Sequence, residues 1–182
     1  MSRLSGIARI AALSGLSLVL ASCSIFGGGI DLEIPESLKQ KCPPVGIVAY
    51  TGEVFRFSGD GRESSDLAYQ GQISGLSVEC TDSEDGQGLF AVVAFDVSAV
   101  RGPSGGGSVE LPYFVSVTRG SEAVLEKNVY SSFHGFGARN RSAQREAINA
   151  YVPLGADGEI LDLEILIGFQ LTREELAYNV AR

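Results

Sequence analysis

The stretch Leu161-Asp162-Leu163-Glu164-Ile165-Leu166-Ile167-Gly168-Phe169 decides the fold class. Every second residue, beginning with Leu161, is large and apolar, whereas Asp162 and Glu164 lie between them. Successive side chains of a β-strand point to opposite faces, so this period of two predicts a strand with one face in a core and the other in water.

The same period recurs along most of the chain. One run alternates Leu111, Tyr113, Val115 and Val117 with polar residues, and another, Leu89 to Val97, is apolar on both faces. Fainter patterns of the same kind lie near 45–50, 53–57, 68–79, 122–133 and 145–153. Together these patterns predict about eight strands.

The connections between these runs favour an antiparallel arrangement. Residues 119–121 and 155–158 form short loops that contain glycine, which suits hairpins, and longer polar loops lie at 58–66, 81–88 and 101–108. The predicted fold is all-β, an antiparallel β-sandwich that is immunoglobulin-like or fibronectin-like in broad architecture. A small β-barrel is the alternative. The predicted core includes Leu163, Ile165, Ile167, Val93, Phe95 and Val115.

The strand pattern stops at Leu171, and a helix start follows it. Thr172-Arg173-Glu174-Glu175 has the spacing of a capping box, which predicts a short C-terminal helix through Tyr178. The string Gly168-Phe169-Gln170-Leu171-Thr172 and the residues up to Asn179 are similar to the ends of uncharacterised envelope lipoproteins of alphaproteobacteria. This resemblance implies a location in the cell envelope and no activity.

The N-terminus has the organisation of a secretory signal. Arg3 and Arg9 form a basic region without acidic residues, and the apolar run 10–20 follows. That run is shorter than the roughly 20 apolar residues that a membrane-spanning helix needs. Residues 1–22 are therefore predicted to be a cleaved signal peptide.

Leu20-Ala21-Ser22-Cys23 resembles the lipobox of bacterial lipoproteins. The resemblance implies that Cys23 becomes the lipid-modified first residue of the mature chain and anchors it to a membrane. Enterobacterial lipoproteins that are retained in the inner membrane have Asp directly after the lipobox cysteine. This chain has Ser24 there, which implies the outer membrane, with the protein facing the periplasm. An ordinary signal peptide followed by a fortuitous cysteine is the alternative.

Removal of the signal leaves 160 residues (182 minus 22), which suits one domain. The signal contains two of the 14 basic residues and none of the 22 acidic ones, so the mature chain has a net charge of 12 minus 22, or −10. Such a charge disfavours nucleic-acid binding. We expect 23–41 to be the lipidated Cys and a tether, which reaches at most about 60 Å when extended, and 42–182 to be a β-rich periplasmic domain.

Cys42 and Cys80 remain once Cys23 is assigned to lipid. A secretory signal implies an oxidising compartment, where an even pair of cysteines favours a disulfide. Two unpaired buried thiols are the alternative.

The residues offer little catalytic chemistry. His134 is the only histidine and is expected in an exposed loop, and no cofactor motif is present. Two acidic loops could attract calcium but lack the EF-hand order, so solvated turns are the default; they contain Asp60, Glu63 and Asp66, and Asp82, Glu84 and Asp85. The arginines at 139, 141 and 145 form one positive cluster, which is expected to be a solvated loop or to meet an acidic partner.

These observations predict a non-enzymatic interaction or structural module of the cell envelope, which contacts a protein partner through a sheet edge or its loops. The alternative is a lipoprotein that binds a small ligand or glycan through aromatic loops around Tyr113, Phe133 and Phe136. A hydrolase is a third hypothesis, which would need convergent carboxylates that the sequence does not indicate.

Overall fold

The computed structural model describes residues 42–120, 123–155, 160 and 162–182. The predicted signal peptide, Cys23 and the predicted tether lie outside these residues. The described strands and helix are, in order, β1 Val45–Ile47, β2 Glu53–Phe57, β3 Leu67–Asp82, β4 Gly88–Arg101, β5 Ser108–Arg119, β6 Ala123–Gly135, β7 Arg141–Pro153, β8 Leu163–Phe169 and α1 Arg173–Ala181.

The strands form two separate four-stranded sheets. The first has the order β1-β8-β5-β6 and the second the order β2-β3-β4-β7. All neighbours are antiparallel except β1 and β8, which run parallel. The predicted all-β sandwich of eight strands with a short C-terminal helix is confirmed, and the barrel alternative is wrong because the two sheets do not close on each other.

The stretch that predicted the fold supplies part of the core. Leu163, Ile165 and Ile167 of β8 are buried, as are Val93 and Phe95 of β4. Val115 of β5, the last of the predicted core residues, is also buried and pairs with Ile167. Inward side chains from both sheets thus interdigitate as they do in other sandwiches.

The β4 run shows how one face is selected when both are apolar. From Leu89 to Ala99 the buried residues are the odd-numbered ones, and Phe90 and Val92 are exposed on the outer face. Burial therefore follows the register with β3 and β7 and not hydrophobicity alone.

Two glycines of β3 lie at positions where a larger residue would clash or strain the backbone. A Cβ on Gly71 would lie 2.7 Å from Leu111 Cδ1 and 2.8 Å from Val54 Cγ1, so the close approach of the sheets there requires glycine. Gly75 has a φ of +63° and lies where the β3–β4 register shifts. A bulge that needs left-handed backbone suits glycine.

One predicted connection differs from the structure. Residues 155–158 were expected to form a hairpin loop, but β7 belongs to the second sheet and β8 to the first, so the two strands do not pair. A glycine-containing loop between two strand patterns suits a hairpin and equally a crossing from one sheet to the other.

Cys42 and Cys80 are brought together as predicted. Their Cα atoms are 5.6 Å apart, within the range that a disulfide spans. Cys80 lies near the end of β3 and Cys42 precedes β1, so the pair joins the start of the domain to the second sheet.

The predicted capping box is present at α1. Thr172 Oγ1 accepts a hydrogen bond from the Glu175 amide at 3.1 Å, and Glu175 Oε2 accepts one from the Thr172 amide at 2.7 Å. The helix continues past the predicted end at Tyr178 to Ala181.

Candidate interaction surface

The sheet edges differ in how far they are covered. In the first sheet, β1 is an edge of only three residues, and β6 is an edge of 13 residues. In the second sheet, the β2 edge lies against α1, and β7 is the other edge. Within the part of the chain that the structure describes, β6 and the equally long β7 each have no second neighbouring strand. We consider β6 because of the side chains on its outer face.

The outer face of β6 carries exposed apolar side chains. Val129 and Phe133 pair with Phe114 and Glu110 of β5, whose side chains point away from the core, and Val124 is exposed at the other end of the strand, beyond the register shift. We call Val124, Val129 and Phe133 the β6 stripe. Phe133 is 62 % exposed and Val129 is 55 % exposed. Exposed aromatic and branched side chains beside the free edge of a sheet make β6 a candidate interaction surface.

The strand is only partly protected against pairing. A register shift lies between the pairs of Val117 and Thr118, and Lys127 places its Nζ 4.5 Å from the centroid of the Phe114 ring. Bulges and lysines are the usual devices that discourage strand addition. Near the other end of β6, Gln144 of β7 donates a side-chain hydrogen bond to the Phe133 carbonyl. Val129 lies between Lys127 and Phe133, where the described strand has no bulge and no β7 side chain bonded to its backbone.

The inner face of β6 carries a buried polar network. Ser132 pairs with Leu111 and His134 pairs with Val109, so both point into the sandwich, and each is 1 % exposed. The expectation of an exposed loop histidine is therefore wrong. The hydrophobic pattern of residues 132–134 gave the wrong orientation of the strand. Its inward positions hold polar residues, and the large apolar Phe133 between them points outward.

Two hydroxyl groups of this network donate hydrogen bonds to the Glu146 carboxylate. Ser132 Oγ donates to Glu146 Oε1 at 2.7 Å, and Tyr113 OH donates to Glu146 Oε2 at 3.3 Å. His134 Nε2 lies 3.1 Å from Ser132 Oγ and its Nδ1 lies 3.2 Å from Ser142 Oγ. Because the Ser132 proton is given to Glu146, the Ser132 oxygen accepts from Nε2–H. In the neutral imidazole, which burial favours, Nδ1 then accepts from the Ser142 hydroxyl.

This geometry ties β6 to β7 and resembles a catalytic serine–histidine pair only in part. A nucleophilic serine needs its hydroxyl proton directed at the histidine and its oxygen open to substrate. Ser132 instead directs its proton at Glu146 and is buried. The network therefore fits a structural role at the seam between the two sheets.

Burial lowers the pKa of His134 below its ordinary value, and the nearby Glu146 carboxylate opposes this shift. The unfolded chain, with an ordinary histidine pKa of about 6.5, then binds the proton more readily than the folded chain. We predict that stability falls as the pH drops from about 7.5 through about 6.5 toward 5.5, because the proton favours the unfolded state. Urea midpoints across this range measure the effect.

His134→Gln is the control, since His134 is the only histidine of the chain. The variant should lose much of the pH dependence above about pH 5, where ordinary carboxyl groups remain ionised. Equal slopes in the two proteins would contradict the assignment.

The aromatic residues expected to form a ligand site do not converge. Tyr113 and Phe136 are buried, and Phe136 stacks on Tyr69 with a centroid distance of 5.8 Å. Phe133 points to the opposite side of the sheet. The predicted aromatic loops are therefore wrong: two of the three rings are core residues, and the third belongs to the β6 stripe.

The acidic loops show turn chemistry. Asp66 accepts a hydrogen bond from the Glu63 amide, and Asp85 accepts hydrogen bonds from the Ser83 hydroxyl and the Gln87 amide. The Ser83 bond, followed by the Gln87 bond, lowers the pKa of Asp85. Among the described residues, no three His, Cys, Asp or Glu side chains come together as metal ligands.

The predicted arginine cluster is not one loop. Arg145 lies within β7, where it pairs with Asp96 at 3.3 Å and donates to the Gly75 carbonyl and to Ser77 Oγ. Arg141 is the first residue of β7, and Arg139 precedes that strand. Arg145 thus stabilises the β3 bulge on the outer face of the second sheet.

Two grooves flank α1, a feature that no sequence pattern indicated. One, of about 250 Å³, is lined by aromatic and charged residues that include Phe57, Arg62 and Tyr178. The other, of about 460 Å³, lies between α1 and the β1–β2 turn and is lined in part by Tyr50 and Asn179.

In the part of the chain with described structure, the only helix is too short and too polar to cross a membrane. No protein-family model, curated protein or solved structure matches the chain.

Proposed function

We propose that this chain is a lipoprotein anchored through Cys23, placed at the periplasmic face of the outer membrane, and that it acts as a non-enzymatic interaction module of the cell envelope. Its partner is an envelope protein that contacts the β6 stripe and adds an extended segment to the β6 edge. The lipobox resemblance supports the anchor and the location. The observation that carries the contact is that β6 pairs only with β5 among the described strands and has exposed apolar side chains along its outer face.

The second support is the inward chemistry of the same strand. Ser132 and His134 of β6 hydrogen-bond to Glu146 and Ser142 of β7, and these contacts restrain β6 on the sandwich. A strand that is already ordered loses little conformational freedom when a partner strand pairs with it. The buried hydrogen bonds between β6 and β7 thus order the β6 edge before a partner binds. This role requires no catalytic chemistry.

The anchor has its own test. Cys23→Ser should leave an uncleaved precursor without lipid, because the lipobox cysteine accepts the diacylglycerol before cleavage. Intact mass spectrometry of the purified protein distinguishes the outcomes. A mature wild-type chain that begins at a residue other than an acylated Cys23 would contradict the anchor without affecting the β6 surface.

The contact is tested by placing charge on the β6 stripe. Phe133→Glu should abolish co-purification of the partner from detergent-solubilised membranes, because a carboxylate there must be desolvated when the partner docks. Phe90→Glu is the matched control, since Phe90 is 48 % exposed on the outer face of the other sheet. Both variants should have wild-type thermal stability. Loss of the partner with Phe90→Glu and retention with Phe133→Glu would overturn the assignment.

A further inference from the structure

Helix α1 covers the β2 edge without burying any of its own residues. Its best apolar contact is Tyr178, whose ring lies 5.5 Å from that of Phe55 and 5.1 Å from that of Phe57, centroid to centroid. The grooves of about 250 and 460 Å³ flank this contact. A helix packed so loosely belongs to the low-stability end of a structure, where segments open before the whole domain unfolds.

Charged groups supply most of the remaining contacts. Glu175 pairs with Arg56 at 3.1 Å, and Arg182, just after the helix, pairs with Glu53. Glu174 lies 3.8 Å from Arg62. Partly exposed ion pairs of this kind contribute little to stability and are screened by salt.

Asn179 occupies the place of a neighbouring strand. Its Nδ2 donates to the carbonyls of Tyr50 and Glu53, each at 2.8 Å. The Gly52 carbonyl accepts from the Ile73 amide of β3, so the next carbonyl, that of Glu53, points to the free edge. The Asn179 amide thus replaces the backbone N–H of an added strand, while its Oδ1 is buried with no partner among the described residues.

We propose that α1 is a removable cover, and that the β2 edge beneath it is a second interaction surface which accepts an extended acidic segment of a partner protein. Release of α1 leaves Arg56 and Arg62 without Glu175 and Glu174, and it leaves Glu53 without Arg182. Two cations are freed against one anion, which favours acidic residues in the part of the incoming segment that faces the arginines. It also exposes the Phe55 and Phe57 rings, where an aromatic or branched side chain replaces Tyr178. This surface is independent of the β6 stripe.

Hydrogen exchange of the full-length chain tests the removable cover. Tyr178→Ala should speed exchange of the amides of 53–57 at least tenfold while the amides of β4 keep their protection. Leu176→Ala is the matched control, because Leu176 is on the same helix and is 40 % exposed. If the amides of 53–57 in the wild type and in Tyr178→Ala exchange only together with those of β4, α1 is a fixed part of the domain and the proposal fails.

Binding tests the surface beneath it. The probe is a synthetic capped peptide that alternates Glu with Val and Tyr, and its counterpart replaces each Glu with Lys. The acidic peptide should bind Tyr178→Ala at least tenfold more tightly than it binds the wild type or Leu176→Ala, whereas the lysine peptide should show no such gain. Equal affinity of the two peptides, or of the three proteins for the acidic peptide, would overturn the second surface.

Discussion

Replacing Ile165 with alanine should lower the free energy of unfolding by about 2 to 5 kcal/mol, because the change removes buried methyl groups and leaves a cavity. Ile165 is fully buried and pairs with Val117 of β5 and Val45 of β1, so its neighbours come from both sides of its strand. Urea unfolding of the two proteins measures the difference.

Glu164→Ala is the control, since Glu164 is exposed and lies one residue away on the same strand. Surface changes of this kind usually shift stability by less than about 0.5 kcal/mol. Equal losses from the two variants would mean that the β8 side chains point the other way.

Removing the Cys42–Cys80 pair should have an effect of similar size. The two cysteines are 38 residues apart, and closing a loop of that length stabilises a fold by about 4 kcal/mol in the chain-entropy model. The variant with alanine at both positions should therefore unfold at lower urea concentration than the wild type. Reduction of the wild type should give a comparable shift, and the variant should not respond to reductant.

Alkylation in freshly lysed cells gives an independent check of the pairing. Both thiols should resist labelling until reductant is added, because the predicted signal peptide would deliver the chain to an oxidising compartment, where the bond forms. Labelling of both without reductant would show that the pair is reduced in the cell.

Strands with a clear period of two could be predicted well. The alternation in β5 and β8 follows directly from burial of one face, and the capping box at Thr172 is a local hydrogen-bond pattern that does not depend on the rest of the fold. The β4 run is apolar on both faces, so its sequence does not indicate which face is buried. Only its register with β3 and β7 selects that face.

The orientation of β6 could not be predicted because its hydrophobic pattern is reversed. Ser132 and His134 point inward and are stabilised by hydrogen bonds from other strands, while Phe133 points outward. A buried polar residue is acceptable only with such partners, and the partners are contributed by residues distant in sequence. The β6 stripe, which carries the proposed function, therefore emerges only from the folded chain.

The cover over β2 escaped prediction for a related reason. The sequence predicts a short helix after Leu171 but not where it packs, since α1 has no continuous apolar face. Its position depends on Asn179 and on charges that meet residues more than 100 positions away, such as Glu175 with Arg56. Long-range polar contacts of this kind leave no periodic signal in a sequence.

In-cell photo-crosslinking tests the interaction surface most directly. A photoreactive residue at position 129 lies on the β6 stripe, and one at position 92 lies on the outer face of the opposite sheet, where the native valine is 42 % exposed. We expect one discrete crosslinked envelope protein from position 129 and none from position 92, and the position 129 product should be lost in Phe133→Glu. A discrete product from position 92 alone would contradict this expectation.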